Sequence, residues 1–282
     1  MADRHSPGVR RRRLSAALRK IRVDAGWTSA EAAEQLGWSP GKVTWIERNE
    51  WKRPKRDEVA AMLDLYEVAG SDREHLLGLV AEARGRSDWH QYQDLFPGNL
   101  PELEAEAVRI RSYESLLVPG LLQTPDYAAA VFRGGQVVPE AEIARKVESR
   151  MARRQVLDAP HGPQLTSVVD EAALRKVAGS RDVMAEQLRF LAGMAAHYKV
   201  TLLVLPNASG THAAVSGAFT LIDFPRPEPG IVSLSNAVES LYVEDADYVD
   251  RHMLIFDAIQ GSALSPEQSL ALITTIADEL TE

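Results

Sequence analysis

The chain has 282 residues, enough for about two domains, with a composition ordinary for a soluble globular protein. It holds no cysteine, which excludes disulfides, thiolate nucleophiles and cysteine-based zinc sites. The net charge of -8 is unevenly spread: residues 1–60 carry 14 Lys and Arg against 8 Asp and Glu, and the rest carry 18 against 32. Such an asymmetry points to a nucleic-acid-binding part joined to an acidic part. No apolar run approaches the length of a membrane span, and no apolar stretch follows the first basic residues. A cytoplasmic location without a membrane partner is therefore expected.

In chain order, residues 1–11 read as a flexible basic N-terminus and residues 12–84 as a five-helix, all-α domain. After Arg10–Arg13, Leu14, Leu18 and Ile21 recur at helical spacing, and Gly26 ends that helix. Thr28 with Glu31 three residues on forms a capping box for the second helix, and Gly37 suits the left-handed turn that closes it. Ser39 is expected to cap a third helix over 39–49, with Pro40 in its first turn. Val43 and Ile46 face the core. Trp38, just past the turn, reads as packing. A fourth helix over 57–68 turns Val59, Met62, Leu63 and Tyr66 inward, and Asp72 caps a fifth that runs through Ala83.

Two short helices joined by a tight turn in a basic segment describe a helix-turn-helix, whose second helix enters the major groove of double-stranded DNA. The candidate contacts are Ser29, Ser39, Gly41, Lys42, Thr44, Trp45 and Arg48, flanked by Lys52, Arg53 and Lys55 on the phosphate backbone. Lys42 near a helix N-terminus opposes the helix dipole, a cost that a phosphate or a guanine edge would offset. For Lys42 and Arg48 the plainer reading is a solvated face. For Trp45 it is packing against Trp51 or a second subunit.

This domain resembles the phage-repressor-type helix-turn-helix regulators, the xenobiotic-response-element family, through Thr28, Glu31, Ala33, Gly37, Ser39, Val43, Ile46 and Glu47. Members of that family often carry longer polar residues where this chain has Pro40 and Gly41, and a polar or basic residue where it has Trp45.

Residues 85–101 read as a linker. Its aromatics Trp89, Tyr92 and Phe96 imply that it docks on one or both domains. Residues 102–282 read as a mixed α/β domain. Its first helix starts near Leu103, with Ile110 and Tyr113 continuing one face, and Pro119-Gly120 break it. Leu121 and Leu122 then point inward, and Thr124-Pro125 restart a helix. Strands are expected at 165–169, 201–205, 219–224, 231–234 and 241–243, and helices at 140–157, 246–260 and 266–280, with a further amphipathic helix through Met184, Leu188, Leu191 and Ala195.

The segment from Val118 to Ala128, which contains PGLLQTPDY, is similar to part of the C-terminal domain of actinobacterial regulators described as antitoxin-like, of the Scr1 type. Arg150–Gln155, Val169–Leu174, Gln187-Leu188 and Leu205-Pro206 follow in matching order. That resemblance implies autoregulation and a small partner protein, often encoded nearby.

Leu121, Leu122, Gln123 and Tyr127 form either a structural joint or a pocket wall or partner surface. Thr211 and His212 lie in a polar loop after the 201–205 strand, which reads as an exposed loop or, at a strand's carboxyl end, as a ligand site. Asp170 and Glu171 are adjacent, so on a strand they would face opposite sides and not form a paired-carboxylate site. No catalytic or cofactor motif is present, and His161, His197 and His252 show no metal spacing. No enzyme, cofactor or metal is expected. Two functions fit. One is a dimeric, sequence-specific transcription regulator controlled by a small-molecule effector or partner protein. The other is an enzyme or small-molecule-binding α/β domain with an appended DNA-targeting module.

Overall fold

The computed structural model describes residues 7–51, 53–84, 89–92, 94–95, 100–135, 138–225, 228–235 and 240–282. The chain forms two compact units, Met1–Gln93 and Asp94–Glu282. The first is helical, and the second is a six-stranded mixed sheet with helices, the two-domain architecture expected from the periodicity.

The first unit holds α1 (Pro7–Asp24), α2 (Ser29–Gln35), α3 (Lys42–Glu47), α4 (Arg56–Leu65) and α5 (Gly70–Glu82). Leu14 and Leu18 of α1, Ala32 and Ala33 of α2, Val43 and Ile46 of α3, and Val59, Met62 and Leu63 of α4 form one core with Leu76 and Val80 of α5. Trp51 closes it from below α3, with its indole N–H donating to Ser15 Oγ at 2.9 Å. It is 1% exposed and belongs to this core, whereas Trp45 is 41% exposed.

Several boundaries differ from the sequence reading, among them the end of α4, at Leu65 where 68 was expected. α1 begins at Pro7, so residues 7–11 are helical, and Val9 is buried. Proline at the first helical position costs no hydrogen bond, which lets the helix start there. α5 begins at Gly70 with Ala69 as its cap residue, and Asp72 sits inside the first turn. The start of α3 is described below.

The second unit opens with α6 (Leu100–Glu106) and β1 (Arg109–Glu114). α7 (Pro125–Gly135) and α8 (Glu140–Arg154) lead to β2 (Gln164–Asp170). α9 (Glu171–Arg175) and α10 (Arg181–Met194) lead to β3 (Val200–Leu205). Then come β4 (Phe219–Asp223), β5 (Ile231–Ser235), β6 (Ser240–Val243), α11 (Ala246–Ser262) and α12 (Pro266–Glu279). The strand order is β3-β2-β1-β4-β5-β6. β1, β2 and β3 are parallel, and the other pairs are antiparallel. The helical crossovers between the parallel strands are what parallel pairing requires.

β1 replaces the expected helix through Ile110 and Tyr113. It is the third strand in and is buried on both sides, so its sequence lacks the alternation of a half-exposed strand. Arg111 is buried on one face because two of its contacts go to Asp223, at 3.0 and 3.1 Å. On the other face Ser112 bonds to Ser167 at 2.8 Å. Ile110 and Tyr113, three apart like a helical pair, lie on opposite faces of the sheet.

Tyr113, Val168, Leu203, Phe219, Leu221 and Val232 line the face packed by Val249, Phe256 and Ile259 of α11. α12 guards the outer edge of β3: the Val204 N–H donates to Ser269 Oγ, and Val204 C=O accepts from the Leu264 N–H, both at 2.9 Å.

Candidate nucleic-acid interface

The joint between α2 and α3 is built from local backbone chemistry. Thr28 Oγ1 accepts the Glu31 N–H, and Glu31 Oε2 accepts the Thr28 N–H, the reciprocal pair that satisfies two free helix-end donors. Hydrogen bonds with Thr28 hold the Glu31 carboxyl below its usual range. At the far end Gly37 has φ +66°, the Trp38 N–H reaches Ala33 C=O at 2.8 Å, and the Gly37 N–H reaches Glu34 C=O at 3.0 Å. That left-handed closure turns the chain sharply into α3. α3 ends the same way. Asn49 stands at φ +58°, and the Glu50 N–H reaches Trp45 C=O at 3.1 Å.

Ser39 does not cap α3. Residues 39–41 form a tight turn, with the Lys42 N–H on Ser39 C=O at 3.0 Å, and Gly41 takes the cap position without a side-chain bond. The cap position thus falls two residues later than the capping pattern implies, because the 39–42 turn takes up Ser39 and Pro40.

A buried ion pair fixes the angle of α3. Arg22 of α1 meets both oxygens of Glu47, at 2.7 and 2.9 Å, and its third nitrogen donates to Trp27 C=O at 2.5 Å. The Glu47 bond holds the Arg22 guanidinium above its usual value. Burial, then the Glu47 charge, pushes the nearby Tyr66 phenol up to about 12. Nothing in the local sequence marks Arg22 as different from its exposed neighbours Arg19 and Lys20; only the fold separates them.

With Val43 and Ile46 inward, the opposite side of α3 carries Thr44, half-buried, Trp45, 41% exposed, and Arg48, exposed at its C-terminal end. Ser39 and Gly41 are exposed in the preceding turn, and Ser29 is half-buried at the start of α2. Arg53 and Lys55 are exposed on the chain that follows, whereas Lys52 lies outside the described residues. Arg56 is tied to Leu77 C=O at 3.1 Å.

Lys42 differs from the expectation. Its ammonium bonds to Glu58 Oε1 at 2.9 Å and stands 4.1 Å from the centre of the Trp38 ring. Glu58 therefore offsets the helix-dipole cost within the protein.

In the second unit, Leu121, Leu122, Gln123 and Tyr127 are each 5% exposed or less. A short 3-10 turn, Gly120–Leu122, follows β1 where a helix end was expected. Gln123 Nε2 donates to Val118 C=O at 2.7 Å, and its Oε1 accepts from Arg150 at the same distance. Gln187 bridges the Thr124 N–H and Leu122 C=O, and Tyr127 OH accepts the Val118 N–H at 3.1 Å. The Tyr127 N–H in turn meets Thr124 Oγ1 at 3.4 Å, the restart expected for α7. Arg153 forks onto both oxygens of buried Glu104, at 2.6 and 2.8 Å. Burial pushes the Glu114 carboxyl up to about 7 against the opposing pull of Arg150 and Arg153. The four side chains of the motif are thus turned inward, and the polar groups of Gln123 and Tyr127 are spent within the domain, on the Val118 backbone and on Arg150.

Thr211 is exposed, while His212 folds back over the sheet. His212 Nδ1 accepts the Ala214 N–H at 3.3 Å, which leaves the neutral ring's proton on Nε2, facing Tyr113 OH at 3.2 Å. Tyr113 OH in turn donates to Asp170 Oδ2 at 3.4 Å, and burial followed by the Asp170 charge pushes the phenol upward. The rings of Phe219, His252 and Tyr248 continue the cluster along α11. His252 is thus part of a packed aromatic group. Asp170 caps α9 through the Ala172 N–H, and Glu171 bonds to Arg175 and the Asn207 N–H, so the two carboxylates serve separate structural roles. Among the described residues no group of three acidic or histidine side chains is placed to hold a metal. No described helix is long and apolar enough to cross a membrane.

These features define a helix-turn-helix DNA-binding domain joined to a mixed α/β domain. Residues 13–76 match a helix-turn-helix domain family. Residues 98–275, more than half of the chain, match the family described as a domain of unknown function, DUF5753, and the protein belongs to it. No curated protein and no solved structure matches the chain.

Proposed function

We propose that this protein is a sequence-specific transcription regulator of the phage-repressor type, located in the cytoplasm. It works without catalysis or a cofactor. The observation that carries this reading is the outward row Thr44, Trp45 and Arg48 on a short helix whose angle is fixed by the Arg22–Glu47 pair. Two such helices in a homodimer would read a pseudo-palindrome with half-sites about one helical turn apart. Arg48 contacts a guanine edge or phosphate. Trp45 supplies apolar contact to a thymine methyl or sugar. Arg53 contacts backbone.

The α/β domain acts as the sensor. A small-molecule effector or a small antitoxin-type partner protein shifts the spacing of the two recognition helices by favouring one dimer arrangement. The exposed Thr211 and the His212–Tyr113–Asp170 chain at the carboxyl ends of β1 and β2 support an effector position there. The inward set of Leu121, Leu122, Gln123 and Tyr127 supports a scaffold role for that segment.

The test is fluorescence anisotropy of the full chain on the duplex upstream of its own gene and on a scrambled duplex, over a salt series. Preferential binding that survives physiological salt is expected. Equal, salt-labile binding to both duplexes would remove sequence specificity and return the activity to the α/β domain.

A further inference from the structure

The surface beside α3 contains a contact that works against DNA binding as the residues alone describe it. Lys42 lies in the first turn of α3 and Lys55 just before α4, so the chain brings them from two elements. Both ammonium groups converge on one oxygen, Glu58 Oε1, at 2.9 and 3.3 Å. Lys42 is further enclosed by the Trp38 ring at 4.1 Å. The side chain of Glu58 is 14% exposed, while those of Lys42 and Lys55 are 27% and 62% exposed. The cluster is thus at the surface, and exposed Arg53 lies in the same connecting segment.

A carboxylate and a phosphate oxygen offer an ammonium group the same charge-assisted hydrogen bond. A phosphate approaching these lysines meets a carboxylate already in its place, and a like charge. We propose that Glu58 is a built-in competitor for the DNA backbone. It occupies Lys42 and Lys55 in the free protein and thereby lowers sequence-independent affinity and its salt dependence. This rests on the DNA-binding reading above and adds a residue that restrains it. Glu58 touches no base, so its effect falls equally on all sequences. Its place in the first turn of α4 also suits the helix dipole. That second role needs only a negative charge near the helix end and makes no demand on the lysines.

The two roles separate in a salt series on the full-length protein, with fluorescein-labelled upstream and scrambled duplexes. Glu58→Gln keeps the shape and removes the charge. Affinity for both duplexes is expected to rise on the order of tenfold near 0.1 M salt. The slope of log K against log salt is expected to steepen by up to about 1.8, which is two added phosphate contacts at about 0.9 each. Glu58→Asp, which retains the charge, is expected to stay closer to wild type. Adding Lys42→Met and Lys55→Met to Glu58→Gln is expected to cancel the gain. A wild-type protein that binds DNA, with a Glu58→Gln slope unchanged, would overturn the inference and leave the DNA-binding reading standing. A wild-type protein that binds neither duplex at the lowest salt would overturn both. Should Glu58→Gln lose its cooperative melt, the Lys42→Met/Lys55→Met pair in the wild-type background decides. A slope change below about 0.9 fits lysines already neutralised, and a loss near 1.8 overturns the inference.

Discussion

The two segments with the most specific sequences use their side chains in opposite ways. Around α3, backbone turns and the Arg22–Glu47 pair set the geometry, which leaves Trp45 and Arg48 facing outward. In the 118–127 segment, the side chains of Gln123, Thr124 and Tyr127 face inward and bond within the domain, each to a backbone group and Gln123 also to Arg150. A distinctive motif can therefore mark a surface or a joint, and the direction of its side chains decides which. Both regions also hold a buried arginine–glutamate fork. Arg22–Glu47 aims a helix, and Arg153–Glu104 ties α8 to α6.

The contrast gives an ordered set of expectations. Arg153→Met strands a buried Glu104 carboxylate and should lower the unfolding free energy by about 3–5 kcal/mol, read by urea denaturation of the full chain. A loss below 1 kcal/mol would mean that water reaches the pair. Gln123→Leu leaves Val118 C=O and one Arg150 nitrogen without their partner. A cost of about 2–3 kcal/mol in the same experiment is expected. If the variant were as stable as wild type, the joint would be the wrong description of this segment.

On the other side, Arg48→Ala should weaken binding to the upstream duplex by about 1–3 kcal/mol, with a smaller loss on scrambled DNA. Equal losses on both would assign Arg48 to the backbone. Thr28→Ala removes the cap of α2 and should cost about 1 kcal/mol, seen as a lower melting temperature of the first unit.

A last expectation concerns pH. Glu114 sits at about 7 in the folded protein against an ordinary 4.5, so the native state holds its proton longer than the unfolded chain does. Its contribution to stability is full below the unfolded value and is lost as pH rises through about 7. Glu114→Gln should flatten that decline in denaturation midpoints measured from pH 4 to pH 8. An unchanged profile would place the titration elsewhere.

Much of the architecture is legible in the residues. Thr28, Glu31 and Gly37 act through bonds to their own neighbours, so the start and end of α2 follow from spacing alone. Five strands fall where apolar, β-branched runs predict them, from β2 to β6. β1 was hidden because Arg111 and Ser112 look solvent-facing until Asp223, 112 residues away, and Ser167, 55 away, neutralise them.

The same reasoning sets the limit at the candidate sites. Trp45 and Arg48 can be placed on the outer face of α3 from the inward positions of Val43 and Ile46, because helical period fixes that relation. Lys42 cannot: its chemistry depends on Glu58, a residue of another helix. His212 likewise gains its meaning from Tyr113 and Asp170, brought to it by strand order. The sequence by itself determined helix ends, strand runs, the charge division and the helix-turn-helix, because these rest on interactions within a few residues. The tertiary structure alone decided which charges are consumed and which face outward, because ion pairs and burial join residues that only folding brings together.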